Sequence, residues 1–157
     1  MERVPMTKQG AEALKETLAY LKGEKRHMIV AAIEAARAHG DLSENAEYHA
    51  AKEDQGMNEA RIMQIEDSLA RANVIDPATI KTGKVVFGAT VELIDVNKGT
   101  EVTYQIVGVD EADIEKGMVS ITSPIARAMI GKEEGDVAVV QAPGGEREFE
   151  IQSITYA

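Results

Sequence analysis

Apolar residues recur at helical spacing as far as Asp76, and beyond it they alternate with polar residues. In the first part, steps of four and three residues alternate, which is the heptad spacing of a coiled coil. This spacing predicts two helices, each with one seam. The first seam consists of Leu14, Leu18, Leu21, Lys25, Met28, Ala32 and Ala35. The second consists of Tyr48, Ala51, Gln55, Asn58, Ile62, Ile65, Leu69 and Ala72.

The two predicted helices form a hairpin. Thr7 is a plausible N-cap for the first helix, and Gly40 ends it. Two helices of about 30 residues that are joined by the short turn 40–43 must run antiparallel. At 1.5 Å per residue the hairpin is roughly 45 Å long. Polar seam residues near its middle fix the register at some cost in stability.

The second part of the chain predicts a small antiparallel sheet with one short helix. Asn97-Lys98-Gly99 and Pro143-Gly144-Gly145 are turn signals between neighbouring strands. A helix fits 124–130, with Ser123 as N-cap and Gly131 at its end. The strand candidates are residues 84–96, 100–109, 117–122, 137–142 and 146–156. The predicted fold class is α+β, with a helical hairpin domain at 1–76 and a sheet domain at 77–157.

Composition narrows the functional classes. The chain has 157 residues and a formal net charge of -10, whereas a protein that binds nucleic acid by neutralising phosphates is usually basic. Any role near DNA or RNA is therefore expected to depend on a protein partner or a local basic face. Aromatic residues make up only 4%, which disfavours base-stacking platforms.

The same composition bears on compartment. There is no cysteine, so disulfides and thiolate chemistry are excluded. The start, MERVPMTKQG, has no apolar signal-peptide core, and no apolar run approaches the ~20 residues that span a bilayer. The expected location is the cytoplasm, without a membrane partner.

The stretch HGDLSENAEYH, residues 39–49, connects the two helices and carries two carboxylates three residues apart, Asp41 and Glu44. Their spacing fits a capping box, with Asp41 as N-cap and Glu44 reaching back to its backbone N–H. The functional alternative is that both carboxylates point outward and share Mg²⁺, which takes oxygen ligands. Two carboxylates alone cannot hold Mg²⁺ tightly, so a partner would complete such a site.

Other candidate chemistry is weaker. His39 and His49 flank the turn, and with Glu44 they would make a zinc site, but solvated histidines fit better because no third nitrogen or sulfur ligand has suitable spacing. No Ser/His/Asp or Cys/His arrangement indicates nucleophilic catalysis.

Basic residues on the first helix allow a local face that contacts RNA, but a solvated face with pairs inside the helix fits them better. They are Lys15, Lys22, Lys25, Arg26 and Arg37. In the second part, Ser123, Pro124, Ile125 and Ala126 read as core or cap residues from their pattern alone.

Several segments make the whole chain resemble the bacterial Gre family of transcript-cleavage elongation factors. They are MTKQGAEALKETLAYLK, IEAARAHGDLSENAEYHAAKEDQG, RIMQIEDSLARANVID, FGATVEL, SPIARAMIGKEEGD and PGGEREFEI. The resemblance implies a coiled-coil hairpin followed by a domain with an FKBP-like fold. It also implies that the second domain docks on the rim of the secondary channel of RNA polymerase while the hairpin enters that channel.

The resemblance assigns roles to residues. Asp41 and Glu44 match the family's tip acids, which would share a Mg²⁺ ion with the polymerase and position the water that cleaves backtracked RNA near its 3′ end. Leu42 and Ser43 would support the tip. The segment 123–126 matches the family's polymerase-docking segment, and Arg37 and Lys52 are the candidate RNA-facing basic residues. The polymerase itself would be the enzyme, and no cofactor would be tightly bound to the factor.

Two alternatives belong to other functional classes. A Gre-like protein that enters the channel and inhibits polymerase without cleavage would be expected to have altered tip acids, whereas Asp41 and Glu44 are both in place. A prolyl isomerase or chaperone needs an aromatic pocket, and residues 77–157 offer only Phe87, Tyr104, Phe149 and Tyr156.

Overall fold

The structure, a computed structural model, describes residues 3–40 and 45–157. Contacts divide the chain into two compact units. The hairpin unit is Glu12–Arg71, and the sheet unit combines the segment that ends at Ala11 with Ala72–Ala157. The domain boundary expected between residues 76 and 77 stays a prediction.

The hairpin consists of two long antiparallel helical segments, as predicted. Thr7 caps the first, because its Oγ1 accepts a hydrogen bond from the backbone N–H of Gly10 at 3.0 Å. The last helical residue before the turn is Arg37, three residues earlier than the predicted end at Gly40, and Gly40 itself has a φ of 99°, a left-handed conformation that favours glycine. The helical elements are α1 (Lys8–Tyr20), a π-helical turn (Leu21–Lys25), α2 (Arg26–Arg37) and α3 (Ala46–Arg71).

The seam predicted for the second helix is confirmed from Tyr48 to Leu69, whereas its last predicted member, Ala72, lies beyond the end of the helix at Arg71. Asn58, Ile62 and Ile65 are buried, and the other seam positions are partly buried. The helix α3 is continuous over 26 residues, so one heptad phase holds from end to end.

The seam predicted for the first helix is wrong beyond Lys25. Met28 is 56% exposed, whereas Ile29 is buried at 4%; the buried or partly buried positions that follow are Ile33 and Ala36 instead of Ala32 and Ala35. The cause is the π-helical turn, which contains one residue more per turn than an α-helix. The seam therefore advances by one position after it.

A buried polar contact fixes the register beside this turn. Asn58 is 6% exposed, and its Nδ2 donates a hydrogen bond to the backbone oxygen of Leu21 at 3.1 Å. This contact agrees with the prediction that polar seam residues set the register. A different register would leave the buried amide without a hydrogen-bond partner, which is costly.

The sheet unit contains a five-stranded sheet of order β5-β4-β3-β7-β6. Its strands are β3 (Thr90–Asp95), β4 (Glu101–Val107), β5 (Met118–Ser120), β6 (Val137–Ala142) and β7 (Gly145–Thr155). The expectation of a purely antiparallel sheet is wrong at one edge, because β5 pairs with β4 in parallel. Two 3-10 turns, Val109–Glu111 and Ile114–Lys116, return the chain to the end from which β4 started.

The first predicted strand is too long. Residues 84–89 form no ladder, only an isolated bridge from Lys84 to Glu133. Val85, Phe87 and Ala89 are nonetheless buried, so their alternating pattern reflects packing without strand pairing. Gly88, with a φ of 91°, interrupts the extended backbone before β3 begins.

A second, two-stranded sheet escaped the sequence analysis. Its strands β1 (Val4–Thr7) and β2 (Ala72–Ile75) pair in parallel at the two ends of the helical pattern. Beside them, Glu111 accepts hydrogen bonds from the Thr7 hydroxyl, from the backbone N–H of Thr7 at 2.9 Å and from that of Gly108 at 2.7 Å. A carboxylate at the start of α1 is also favoured by the helix dipole.

The core of the sheet unit is apolar, with the buried carboxylate of Asp95 at its margin. Its buried members include Val85, Val91, Leu93, Ile106, Val119, Ala126, Met129, Phe149 and Ile151. Asp95 is 2% exposed and accepts from Nη2 of Arg147 at 2.8 Å and from the N–H groups of Asn97 and Lys98 at 3.0 Å. Arg147, and then the Lys98 N–H, lower the pKa of Asp95. This carboxylate therefore fixes the predicted β3–β4 turn.

No helix among the described residues is long and apolar enough to cross a membrane.

Candidate functional site

The segment that carries the predicted tip acids connects α2 to α3. Asp41, Leu42, Ser43 and Glu44 lie outside the described residues, and the roles and the capping box expected of them stay predictions. The structure describes the chain on both sides of this segment, through Gly40 and from Asn45 onward.

Asn45 joins the two helices at this end of the hairpin. Its Oδ1 accepts from the backbone N–H of Tyr48 at 3.0 Å, which is the bond of an N-cap residue, and its Nδ2 donates to the backbone oxygen of Ala36 at 2.6 Å. The first described turn of α3 is therefore capped by Asn45, a residue that the sequence analysis did not single out. The signal was present, since Asn is among the preferred N-cap residues.

The histidines near the turn are on the surface. His39 is exposed, and its Nε2 lies 3.7 Å from Oε2 of Glu47, an ion pair when the imidazole is protonated. His49 is exposed, and its ring meets that of Tyr48 edge to face at 5.6 Å. Within residues 3–40 and 45–157, no three His, Asp or Glu side chains group in a way that could hold a metal ion. The zinc alternative included Glu44, which lies outside this range.

Arg37 and Lys52, the candidate RNA-facing bases, are both exposed on the hairpin. Arg37 ends α2, and Lys52, in the second turn of α3, donates to Oε1 of Gln55 at 3.1 Å. Neither side chain is buried, so both remain accessible to a partner.

The other basic residues of the first helix mostly pair across the hairpin. Arg26 makes a two-pronged contact with Glu59, at 2.9 Å from Nε and 2.6 Å from Nη2. Lys22 lies 3.3 Å from Glu66, and Lys25 lies 3.9 Å from Asp54. The expected pairing within the first helix is thus replaced by pairing with α3. The hydrogen bond from Arg26 lowers the pKa of Glu59.

These contacts border a groove midway along the hairpin. It has a volume of about 270 Å³ and is lined by Arg26, Ile29, Val30, Gln55, Asn58 and Glu59. The two charged residues in its wall, Arg26 and Glu59, form an ion pair with each other. The lining residues of the groove therefore offer no set of free catalytic groups that face one position.

Residues 123–126 start the short helix α4 (Pro124–Met129), as the sequence predicts. Ser123 caps it by accepting from the N–H of Ala126 at 3.3 Å. Ala126 is fully buried and Ile125 packs partly against the core, whereas Pro124 is exposed. The prediction of core and cap residues is thus confirmed for Ser123, Ile125 and Ala126. Pro124 is the residue of this segment that a partner can reach.

Both parts of the chain match models of one protein family. Residues 4–74 match "Transcription elongation factor, N-terminal" and residues 80–156 match "Transcription elongation factor, GreA/GreB, C-term". Together the two matches cover nearly the whole chain.

Curated relatives match over the full length. The chain is 61% identical to transcription elongation factor GreA of Alkalilimnicola ehrlichii, with 100% of each chain covered. It is 59% identical to GreA of Ralstonia nicotianae, with 99% of each covered. Among solved structures, GreA factor homolog 1 of Thermus thermophilus is 29% identical over 98% of this chain and 99% of that one, with a TM-score of 0.44.

Proposed function

Because the chain belongs to the GreA/GreB family of transcription elongation factors, we propose that it binds RNA polymerase and stimulates the polymerase's own cleavage of backtracked RNA. The observation that carries this proposal is the match of residues 4–74 and 80–156 to the two family models, together with the match to GreA relatives over at least 99% of the chain. The helical hairpin and the curled mixed sheet of the structure agree with the two-domain fold that the Gre resemblance implied.

The hairpin suits delivery of its end to a recessed site. The helix α3 has 26 residues, which at 1.5 Å per residue is about 39 Å. Two helices side by side are narrow enough to enter a channel, and alanines near the turn keep this end slender. We propose that the hairpin enters the secondary channel of the polymerase, with residues 41–44 at the leading end and Arg37 and Lys52 facing RNA.

Asp41 and Glu44 are proposed as the groups that act in the polymerase active site. Carboxylate oxygens are ligands that Mg²⁺ prefers, so the donor type fits a share in holding that ion. Two carboxylates are too few to hold it alone, and the polymerase is expected to supply the rest of the shell. When bound, the ion would stabilise charge on the attacking and leaving oxygens. Asp41 and Glu44 would also position the attacking water. Leu42 and Ser43 would support the placement of these two acids.

The sheet unit is proposed to dock on the rim of the channel through the start of α4. Pro124 is exposed there, and its backbone is held by the Ser123 cap and by the burial of Ala126 beneath it. A rigid helix start with an exposed proline presents a fixed shape, which lowers the entropic cost of binding. In this proposal the polymerase is the enzyme, and the factor by itself catalyses no reaction.

The test uses backtracked elongation complexes supplied with the parent protein, Asp41→Ala or Glu44→Ala. We expect the parent to accelerate RNA cleavage and each variant to lose most of that acceleration while still competing with the parent for polymerase. Glu47→Gln is the matched control, because Glu47 is an exposed acid in the first turn of α3 outside the proposed pair. Variants that bind and cleave like the parent would contradict the tip mechanism. A parent that binds and inhibits without cleavage would favour the inhibitor alternative.

A further inference from the structure

Asn45 is the first described residue after the segment 41–44, and its side chain contacts both helices of the hairpin. The amide oxygen accepts from the backbone N–H of Tyr48 in α3 at 3.0 Å. The amide nitrogen donates to the backbone oxygen of Ala36 in α2 at 2.6 Å. One short side chain thus connects the end of one helix to the start of the other.

The cap alone does not require asparagine. Asp, Ser and Asn cap helices about equally well, because each places an oxygen near the free N–H groups of the first turn. The backbone oxygen of Asn45 also accepts from His49 N–H at 3.1 Å, which starts the helical bonding of α3 whatever the side chain.

The bond to Ala36 is the part that needs an amide. The backbone oxygen of Ala36 belongs to the last turn of α2, where carbonyls lack partners within the helix, and it also accepts from His39 N–H at 3.1 Å. A carboxylate has no hydrogen to donate to it, and a serine has only one polar atom on a shorter side chain. Asparagine carries the acceptor and the donor on separate atoms, so it serves both helices at once.

The contact fixes where the chain leaves α2 and where it enters α3. Gly40, in its left-handed conformation, precedes the connecting segment, and Asn45 follows it. We propose that Asn45 is a positioning residue for Asp41 and Glu44, in that its bridge sets the separation of the two ends between which they lie. This inference rests on the proposed function, since it assigns Asn45 a part in placing the acids that act in the polymerase.

The test is Asn45→Ser, which keeps a cap and adds no charge but removes the bridge. Backtracked complexes are titrated with factor and, separately, with Mg²⁺. We expect the cleavage rate at saturating factor to fall on the order of 10-fold, because small displacements of reacting groups are costly. The half-saturating factor concentration should stay unchanged, and the Mg²⁺ concentration for half-maximal cleavage should rise, because misplaced carboxylates hold the shared ion less well.

Three further variants separate positioning from folding. Asn45→Asp keeps the cap and loses the bridge, so it should also lose cleavage at saturation. Asn45→Ala loses both bonds and should, in addition, melt at a lower temperature as followed by helical circular dichroism. Asn73→Ser, at an exposed position of β2, is the matched control and should behave as the parent.

The outcomes distinguish this inference from the proposed function. If Asn45→Ser matches the parent in saturating rate and Mg²⁺ dependence while Asp41→Ala is inactive, the inference is overturned alone. A loss of helix in Asn45→Ser with unchanged Mg²⁺ dependence also overturns it, because Asn45 would then be structural only. A parent that fails to stimulate cleavage overturns the proposed function and this inference together.

Discussion

The hairpin unit and the sheet unit are stabilised in different ways. The hairpin buries few large apolar side chains, chiefly Ile29, Ile62 and Ile65, and its alignment depends on Asn58, Asn45 and ion pairs between the helices. The sheet unit has a continuous apolar core, and beside it the buried carboxylate of Asp95 pairs with the half-exposed Arg147. The hairpin is therefore specified residue by residue along two seams, whereas the sheet is specified by the packing of a core. A shift of one residue matters most in the hairpin, and a loss of volume matters most in the sheet.

Deletion of a single glycine tests the seam most severely. Gly23 lies in the π-helical turn and Gly56 lies in the continuous helix α3, and neither has atoms within 4 Å of where a Cβ would stand. Deleting Gly56 rotates the two halves of the α3 seam apart by about 100°. We expect a loss on the order of 5 kcal/mol in the free energy of unfolding of the hairpin, because buried isoleucines become exposed.

Deleting Gly23 is the matched comparison. It converts the π-helical turn toward a regular α-helix and moves Ile29, Ile33 and Ala36 onto the uninterrupted heptad that the sequence predicted. The change in stability should stay within about 1 kcal/mol, since a helical glycine is itself unfavourable. Hydrogen exchange of the hairpin amides measures both deletions, and equal damage from the two would contradict the role given to the π-helical turn.

Truncation of buried isoleucines compares the two units directly. Ile106→Ala in the sheet core and Ile65→Ala in the hairpin seam each remove a side chain that is at most 1% exposed. Such changes cost about 2–5 kcal/mol. We expect Ile106→Ala near the upper end and Ile65→Ala near the lower end, because partly exposed seam neighbours can close around the smaller side chain.

Local hydrogen exchange in each unit reports the two losses separately. Met63→Ala, at a position that is 69% exposed in the hairpin, is the control and should change stability by less than about 0.5 kcal/mol. Equal losses from the two isoleucine variants would contradict the contrast between seam and core.

Lowering the pH should produce the smallest of these differences in stability between the hairpin unit and the sheet unit. The pKa of Asp95 is lowered chiefly by Arg147, and that of Glu59 chiefly by Arg26. Each carboxylate therefore stabilises its unit fully above its unfolded-state pKa of about 4, and this contribution is lost as pH falls through the lower folded-state pKa. We expect 1 M salt to weaken the stabilisation by the half-exposed Arg26–Glu59 pair more than the stabilisation by buried Asp95.

Unfolding measured from pH 6 to pH 2, with Asp95→Asn and Glu59→Gln as references, tests this. Asp95→Asn should reduce the pH dependence of the stability of the sheet unit only, and Glu59→Gln that of the hairpin unit only. Identical salt responses for the two pairs would mean that burial does not protect Asp95.

Local signals were sufficient for some elements. The helix α4 was predicted with its Ser123 cap because the cap, the proline at the first position and Gly131 all lie within nine residues. The seam of α3 was predicted because a continuous helix keeps one phase. The seam of α2 was not, because the π-helical turn at Leu21–Lys25 has no signature in the heptad pattern that precedes it.

Pairing between distant segments also escaped prediction. The strands β1 and β2 are four residues each and pair across the whole length of the hairpin sequence, and β5 joins β4 in parallel. A short strand gains its stability from its partner, and the sequence of one strand does not identify that partner. Residues 84–89 are the opposite case. Val85, Phe87 and Ala89 are buried at alternate positions as in a strand, but residues 84–89 form no ladder with another strand.

For the candidate site, the sequence supplied the chemistry of Asp41 and Glu44 and, through the Gre resemblance, their expected role. It did not reveal that Asn45 connects Ala36 to the first turn of α3, because that bond joins residues that become neighbours only after the helices have packed. The sequence by itself determined the helical hairpin, α4, the order of the five strands of the larger sheet and where the carboxylates lie along the chain, because these follow from local spacing. The tertiary structure decided the phase of α2, the parallel pairings and the bridge at Asn45, because each depends on atoms brought together by folding.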